Sequence, residues 1–140
     1  MNKSEILDLI NANPACHLAT VEGDVPHTRG IFIYRADENG IVFHTGTMKD
    51  LHKQLQANPK TEWCFNDFQN NIQVRVAGIA ELDDDMALKK AIVADRPFLN
   101  DWVESKELGY ETLAVYRVKN CVATVWTMET NFAPKSFIEL

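Results

Sequence analysis

The Asn39-Gly40 dipeptide, which lies between two β-rich runs, constrains this fold more than any other feature of the sequence. Asn-Gly favours the tight turn that joins two antiparallel strands, because both residues tolerate positive φ. The runs on either side, residues 25–34 and 41–45, are rich in β-branched and aromatic residues and predict the two strands. A turn at residues 22–24 joins them to another β-rich run at 16–21. Three antiparallel strands are therefore expected to open the fold.

The third strand runs into a helix whose start favours an anion. Thr47 and Asp50 match the capping-box pattern, apolar residues follow at helical spacing, and Asn58-Pro59 ends the helix. Free amides and the positive end of the helix dipole favour a phosphate there, and Lys49 with the hydroxyls of Thr45 and Thr47 would add charge and donors. The alternative is an ordinary capped helix with a solvated lysine.

An arginine on the second strand, Arg29, lies on a strand face that is expected to be apolar. Strand side chains alternate between faces, so Arg29 shares its face with Ile31 and Ile33. A cation on that face needs an anion. A bound ligand would supply one, and the alternatives are a salt bridge to one of the twenty acidic residues or a place at the wet end of the strand.

The rest of the chain predicts a barrel. Further strands are expected at residues 61–66, 71–82, 112–118 and 121–127, the last two around a turn at Lys119-Asn120. Helices are expected within residues 1–10, 83–94 and 98–106. About seven strands with flanking helices suit a Greek-key-like antiparallel barrel of the α+β class, mainly β. At 140 residues the chain is expected to form one domain, residues 1–140.

Composition and charge exclude several function classes. A net charge of −6 argues against a nucleic-acid partner, and no apolar run approaches membrane-spanning length. The three cysteines, Cys16, Cys64 and Cys121, lack metal-binding or CxxC spacing, so buried thiols in a reducing cytoplasm are expected. The four histidines form no ligand pattern, so no metal site is predicted.

Taken in order, these motifs resemble the pyridoxamine 5′-phosphate oxidase-like FMN-binding split β-barrels over roughly residues 5–82. The motifs are Ala19-Thr20-Val21, Pro26-His27-Thr28-Arg29, Phe43-His44-Thr45-Gly46-Thr47-Met48-Lys49 and Asn58-Pro59. The resemblance implies that Arg29, Lys49, Thr45 and Thr47 hold the FMN phosphate. It also implies that the backbone of Arg29, Gly30, Ile31 and Phe32 and of His44 and Thr45 flanks the isoalloxazine ring.

Two further residues are implied in flavin binding. Gln73 stands where the family places a glutamine against the pyrimidine edge of the ring, and its amide both donates and accepts. Its alternative is a solvated or dimer-facing strand surface. Trp126 is a candidate to cover a ring face, and a core position is its alternative. The family's namesake enzymes end in a segment with Trp and Arg residues, whereas this chain has no Arg after Arg117. The resemblance therefore does not imply a vitamin B6 substrate for this chain.

A barrel of this size is filled by its own side chains, so a tricyclic ring is expected on its outside. The resemblance implies a homodimer with FMN at the subunit interface, where a partner shields the ring from water. The aromatic residues that are candidates for this cover are Phe68, Phe98, Trp102, Tyr110 and Phe132. Each of them is also a candidate core residue.

The sequence thus predicts an FMN-binding oxidoreductase that transfers electrons or hydride through the flavin to an unknown small molecule. No catalytic side chain is predicted, because such transfer requires no protein nucleophile or general base. The alternatives are a flavin-binding or flavin-sensing protein without turnover, and a split-barrel relative that binds haem, a deazaflavin or no ligand.

Overall fold

One antiparallel sheet of eight strands forms the frame of the molecule, which a computed structural model describes over residues 1–140. The strands are β1 (Ala15–Glu22), β2 (Val25–Phe32), β3 (Arg35–Asp37), β4 (Gly40–Gly46), β5 (Lys60–Asp67), β6 (Ile72–Leu82), β7 (Leu113–Trp126) and β8 (Ile138–Glu139). The helices are α1 (Lys3–Ala12), α2 (Asp50–Ala57), α3 (Met86–Asp95) and α4 (Phe98–Val103), with a 3-10 turn at Tyr110–Thr112. The order across the sheet is β2-β1-β5-β6-β7-β4-β3, with β8 paired to β7. The predicted α+β, mainly β class is confirmed.

The hairpin signal is confirmed, but it joins different strands from those expected. Asp37 pairs with Gly40, so Glu38 and Asn39 form the turn, and Gly40 follows with φ of 119°. The Asp37 carboxylate accepts from the Asn39 amide at 2.8 Å and fixes this turn. Residues 35–37, which lie between the two predicted runs, form the short strand β3. As a result β2 pairs only with β1 and becomes an edge of the sheet.

The predicted turn at Lys119-Asn120 is wrong. Both halves of the segment belong to one long strand, β7, and both pair with β6. Between the pairs Ala77↔Val122 and Ile79↔Lys119, β7 contains one residue more than β6. Asn120, in this interval, has φ of 54°. This is a β-bulge, in which an extra residue bends the strand without reversing it.

Large apolar side chains fill the inside of the barrel. Leu18, Phe43, Trp63 and Phe65 are fully buried, and the rings of Phe43 and Trp63 meet edge to face at 4.8 Å between centroids. This close packing leaves no space for a tricyclic ring, as the size of the barrel predicted. A ligand of that kind must bind on the outer surface.

The helices pack against the sheet at separate places. α1 begins with a capping box between Asn2 and Glu5 and buries Ile6 and Ile10 against the barrel. α3 and α4 form a second, smaller apolar cluster with Val42 of the sheet. None of the helices combines the length and the apolar character that a membrane crossing requires.

Candidate functional site

A pocket of about 550 Å³ opens between the edge strand β2, the end of β4, the start of α2 and the α3–α4 connection. Seven of the ten predicted flavin-binding residues line it: Arg29, Gly30, Ile31, Phe32, His44, Thr45 and Lys49. Its volume lies within the range of about 300–1,000 Å³ that is typical of small-molecule sites. The structure therefore brings together, in one concave surface, residues from two strands and a helix that are distant in sequence.

Arg29 is the most constrained cation of the pocket. On β2, residues 27, 29 and 31 are half-buried and their neighbours are exposed, so the predicted alternation is confirmed. The Arg29 guanidinium donates to the carbonyl oxygen of Leu18 at 3.2 Å, to Oγ1 of Thr20 at 2.8 Å and to Oε1 of Gln54 at 2.7 Å. All three acceptors are neutral, and none of the ion pairs in the chain involves Arg29. The salt bridge that sequence allowed as an alternative is absent.

Burial lowers the pKa of Arg29 from its ordinary value, because a partly desolvated cation is less stable than one in water. The group nevertheless stays protonated at neutral pH, since arginine titrates far above it. A partly buried positive charge with only neutral partners is stabilised further by any anion that binds beside it. The environment of Arg29 therefore fits an anionic ligand.

The start of α2 differs from the sequence prediction in a way that also favours an anion. Thr47 does not cap the helix: the helix begins at Asp50, its N-cap is Lys49, and no side chain caps the first turn. Thr47 instead lies in a tight turn in which its amide donates to the carbonyl oxygen of Thr112 at 2.9 Å, and it does not line the pocket. Without a side-chain cap, the amides of the first helical turn are free to bind an external anion.

Two further groups at this end of the pocket are free to bind. Lys49 is exposed and forms no ion pair. Thr45 is only 5% exposed, and its hydroxyl makes no hydrogen bond within the chain. Since no fully buried polar side-chain atom lacks a partner, this hydroxyl keeps some exposure, and Thr45 lines the pocket. Arg29, Lys49, Thr45 and the α2 amides thus supply positive charge and donors to one region.

His44 and Arg96 form a second polar pair on the pocket wall. Arg96 donates to Nε2 of His44 at 2.9 Å and to the carbonyl oxygen of Ile33 at 2.6 Å. Because a guanidinium only donates, Nε2 of His44 must be the acceptor, and the imidazole is neutral. Burial, followed by the positive charges of Arg96 and Lys49, lowers the pKa of His44 from 6.5 to about 4.

Sequence reasoning missed Arg96 and Gln54. Arg96 lies between two predicted helices, and nothing in the sequence links it to β4. Gln54 carried a usable signal, because it lies on the same face of α2 as the buried Leu51 and Leu55. A polar residue at a core-facing position needs a hydrogen-bond partner, and its partners are Thr20 and Arg29.

Aromatic residues border the pocket but leave it open. Of the five aromatic candidates for cover, Phe98 and Trp102 line the pocket, whereas Phe68, Tyr110 and Phe132 do not. Phe98 is 69% exposed and Phe32, also in the lining, is 59% exposed. Trp102 is fixed by a hydrogen bond from its Nε1 to Oγ1 of Thr112 at 2.9 Å. The rim therefore carries large apolar surface that this chain does not cover.

Gln73 and Trp126 lie outside the pocket lining. They are cross-strand neighbours on β6 and β7. The Gln73 amide donates to Oδ1 of Asn66 at 2.9 Å, and Nε1 of Trp126 donates to Oδ1 of Asn131 at 2.8 Å. Within one chain, then, the ten predicted residues divide into the seven pocket residues, this pair and Thr47.

A second cavity, of about 510 Å³, is lined by Leu7, the β3–β4 turn, the bulge of β7 and the last two residues of the chain. Its charged lining residues are Asp37, Glu38, Lys119 and Glu139. Three carboxylates against one lysine disfavour a phosphate, so the pocket beside β2 is the better anion site of the two.

Comparison with known proteins gives consistent matches. The family model for pyridoxamine 5′-phosphate oxidase matches residues 3–118. General stress protein 26 of Bacillus subtilis is 26% identical over 110 residues, which cover 75% of each chain. A NimC/NimA family protein from Clostridium acetobutylicum has a TM-score of 0.78 at 20% identity, covering 98% of this chain and 92% of that one. A pyridoxamine 5′-phosphate oxidase-related, FMN-binding protein from Nostoc punctiforme has a TM-score of 0.65 at 15% identity, covering 99% and 96%.

Proposed function

Because the chain belongs to the pyridoxamine 5′-phosphate oxidase family, as its motifs predicted, we propose that it binds FMN in the pocket beside β2 and acts as a flavin-dependent oxidoreductase. The single observation that carries the proposal is Arg29, a half-buried guanidinium with only neutral partners. A terminal phosphate would supply the missing negative charge. The FMN-binding relative from Nostoc punctiforme shares the fold and supports the same choice of ligand.

The phosphate end of the proposed site lies where β4 turns into α2. Arg29 and Lys49 provide two positive charges, the Thr45 hydroxyl provides a donor, and the first turn of α2 provides uncapped amides. Hydrogen bonds between such cations and a phosphate are charge-assisted and short, and the arginine fork can engage two oxygens at once. The carboxylate of Asp50 opposes this attraction, but three cations, including Arg96, line the same pocket.

The ring end of the proposed site follows the edge strand. Since β2 pairs only with β1, its other side presents unpaired backbone amides and carbonyls along Gly30, Ile31 and Phe32. These groups suit the polar edge of a flat heterocycle, and Phe32 and Trp102 suit its apolar faces. When bound, FMN supplies the redox chemistry, and the protein binds, orients and shields it.

A second copy of the chain is proposed to complete the site. The pocket rim leaves Phe32 and Phe98 exposed, and water at an open flavin would reach its ring from that side. Gln73 and Trp126 lie outside this chain's pocket, so on this proposal the predicted contact of the pair with a flavin would come from a partner subunit. A homodimer with FMN at the subunit interface accounts for both facts. Size-exclusion chromatography with light scattering is expected to give about twice the chain mass of 15.9 kDa, and a monomer that retains flavin would contradict the dimer.

The visible spectrum of the purified protein tests the ligand. We expect the two absorption bands of an oxidised flavin, and release of the ligand followed by mass spectrometry is expected to give FMN. A haem or deazaflavin spectrum, or none after incubation with excess FMN, would overturn the proposal. Steady-state oxidation of NADH or NADPH then separates an enzyme from a protein that only binds or senses the flavin.

The double variant Arg29→Ala with Lys49→Ala tests the phosphate end. Each lost charged hydrogen bond is worth about 1.5–3 kcal/mol, so the affinity for FMN should fall roughly 10²-fold or more. The matched control is Arg35→Ala with Lys53→Ala, which removes the same two charges from exposed positions outside the pocket. Equal flavin retention by the two double variants would contradict the assignment, provided that circular dichroism shows both to be folded.

A further inference from the structure

Gln54 occupies a central position behind the anion-binding end of the pocket. It lies on α2, is 5% exposed, and lines the pocket beside Arg29. Its Oε1 accepts two hydrogen bonds, from Oγ1 of Thr20 at 2.6 Å and from Nη2 of Arg29 at 2.7 Å. Its Nε2 faces Oε2 of Glu22 at 3.4 Å. The oxygen and nitrogen of a side-chain amide exchange places when the group rotates, so its partners decide its orientation. Glu22 accepts, whereas Thr20 and Arg29 donate, and the carbonyl oxygen therefore faces the arginine.

Gln54 is an uncharged partner of Arg29, and this has an electrostatic consequence. A carboxylate is the usual partner of a partly buried arginine, and it would neutralise the guanidinium. The Gln54 amide orients the guanidinium through the same acceptor geometry without adding negative charge. The nearest acid, Glu22, lies on the far side of the amide from Arg29, and its carboxylate is 3.5 Å from Nε2 of His27. Arg29 is therefore fixed in place while its charge remains available.

We propose that Gln54 is a positioning residue for anion binding: it holds Arg29 in the orientation that faces the pocket and leaves its charge free for the phosphate of the ligand. The inference rests on the proposed function, because it assumes that the anion is the phosphate of FMN. It goes beyond that function by assigning phosphate selectivity to a residue that carries no charge. Thr20 supports the same geometry, since its buried hydroxyl donates to Gln54 and accepts from Arg29.

The substitution Gln54→Glu tests this role, because it keeps the shape and the acceptor oxygen while it adds a negative charge and replaces the Nε2 donor to Glu22 by an oxygen. FMN and riboflavin are the two probes, since they share the ring and differ in the phosphate. In the wild-type protein FMN is expected to bind more tightly than riboflavin. In Gln54→Glu the affinity for FMN should fall about tenfold or more while that for riboflavin changes less than about twofold. Titration of each flavin, followed by quenching of its fluorescence, measures both dissociation constants.

Gln56→Glu is the matched control. It adds the same charge to the same helix, but Gln56 is exposed and outside the pocket, where its amide donates to the Tyr116 hydroxyl at 2.9 Å. Both flavin affinities should stay within about twofold of the wild type. A second variant, Gln54→Met, removes the acceptor at similar volume and should also lower the affinity for FMN more than that for riboflavin, which keeps the test informative if Gln54→Glu does not fold.

The outcomes separate the two proposals. If the wild-type protein prefers FMN to riboflavin and Gln54→Glu keeps that preference, the role of Gln54 is refuted and the FMN site stands. Equal losses for both flavins would show a merely structural residue and would also refute it. If the wild-type protein binds neither flavin, or binds both equally, the phosphate site itself fails and the role of Gln54 fails with it.

Discussion

Replacing His44 by Gln should make the free energy of unfolding less sensitive to acid. In the folded protein the His44 imidazole is neutral and accepts a hydrogen bond from Arg96 at 2.9 Å. Its protonation would place a charge in a largely desolvated site and, in addition, beside the positive charges of Arg96 and Lys49. The pKa of His44 is accordingly lowered from 6.5 to about 4, whereas in the unfolded chain it returns to its ordinary value.

The sign and size of the effect follow from this difference. Between pH 6.5 and about 4 the unfolded chain binds a proton that the folded chain does not, so stability is lost as the pH falls through this window. One pKa unit corresponds to about 1.4 kcal/mol, which gives a full loss of about 3 kcal/mol below the window. At about pH 5, roughly 1.5 units below the unfolded pKa, the loss is about 2 kcal/mol.

Urea unfolding of the flavin-free protein measures the effect at about pH 7.5 and about pH 5. A glutamine at position 44 can still accept from Arg96 through its side-chain oxygen but does not titrate. Protonation of carboxylates at the lower pH lowers the stability of both proteins in the same way. The informative quantity is therefore the difference between the losses of the two proteins. The wild-type protein should lose about 2 kcal/mol more than His44→Gln over this interval. Parallel losses would refute the argument that the folded structure excludes the imidazolium.

Two further predictions concern backbone strain and thiol reactivity. Gly40→Ala should lower the free energy of unfolding in urea clearly more than Gly23→Ala, because Gly40 has φ of 119° and a Cβ there would lie 2.0 Å from a backbone oxygen of β7. Gly23→Ala, with positive φ but no atom within 4 Å, should cost only about 1–2 kcal/mol, and equal losses would contradict the steric argument. Burial raises the pKa of Cys16 to about 12 and that of Cys121 to about 11, so at about pH 8 a disulfide reagent should react rapidly only with the half-buried Cys64. Rapid reaction of all three thiols in the native protein would contradict the packing. In guanidinium chloride, which unfolds the protein, all three thiols should react.

Local sequence patterns predicted most of the elements, because alternation and turn chemistry act over a few residues. These patterns failed where the structure depends on which strands pair with one another. Lys119-Asn120 has the composition of a turn, but both of its flanks find partners on β6, so the chain continues through a bulge. Likewise Asn39-Gly40 marks a hairpin correctly, but its local signal does not say that β3, rather than β2, lies next to β4.

The same limit applies to the site. Arg29, Thr45 and Lys49 were predicted because each lies in a short recognisable motif. Arg96 and Gln54 belong to no such motif, and their roles come from neighbours that are 52 and 25 residues away in sequence, His44 and Arg29. The capping box failed for a related reason. The Thr47 amide binds the carbonyl oxygen of Thr112 on a distant part of the chain, and this tertiary contact holds the turn that moves the helix start to Asp50.

The position of the pocket also explains how this fold manages an exposed sheet edge. β2 is an edge strand, and an edge with unpaired backbone groups invites pairing with other chains. In a closed barrel this edge would be lost, but the barrel here is split, and the pocket lies along the gap between β2 and β4. On the proposed function, a flat ligand anchored by its phosphate occupies that gap and a partner subunit covers it. The unpaired edge is then a requirement of the site rather than a defect of the sheet, and we expect flavin removal to increase aggregation, a change that light scattering of the stripped and reconstituted protein measures directly.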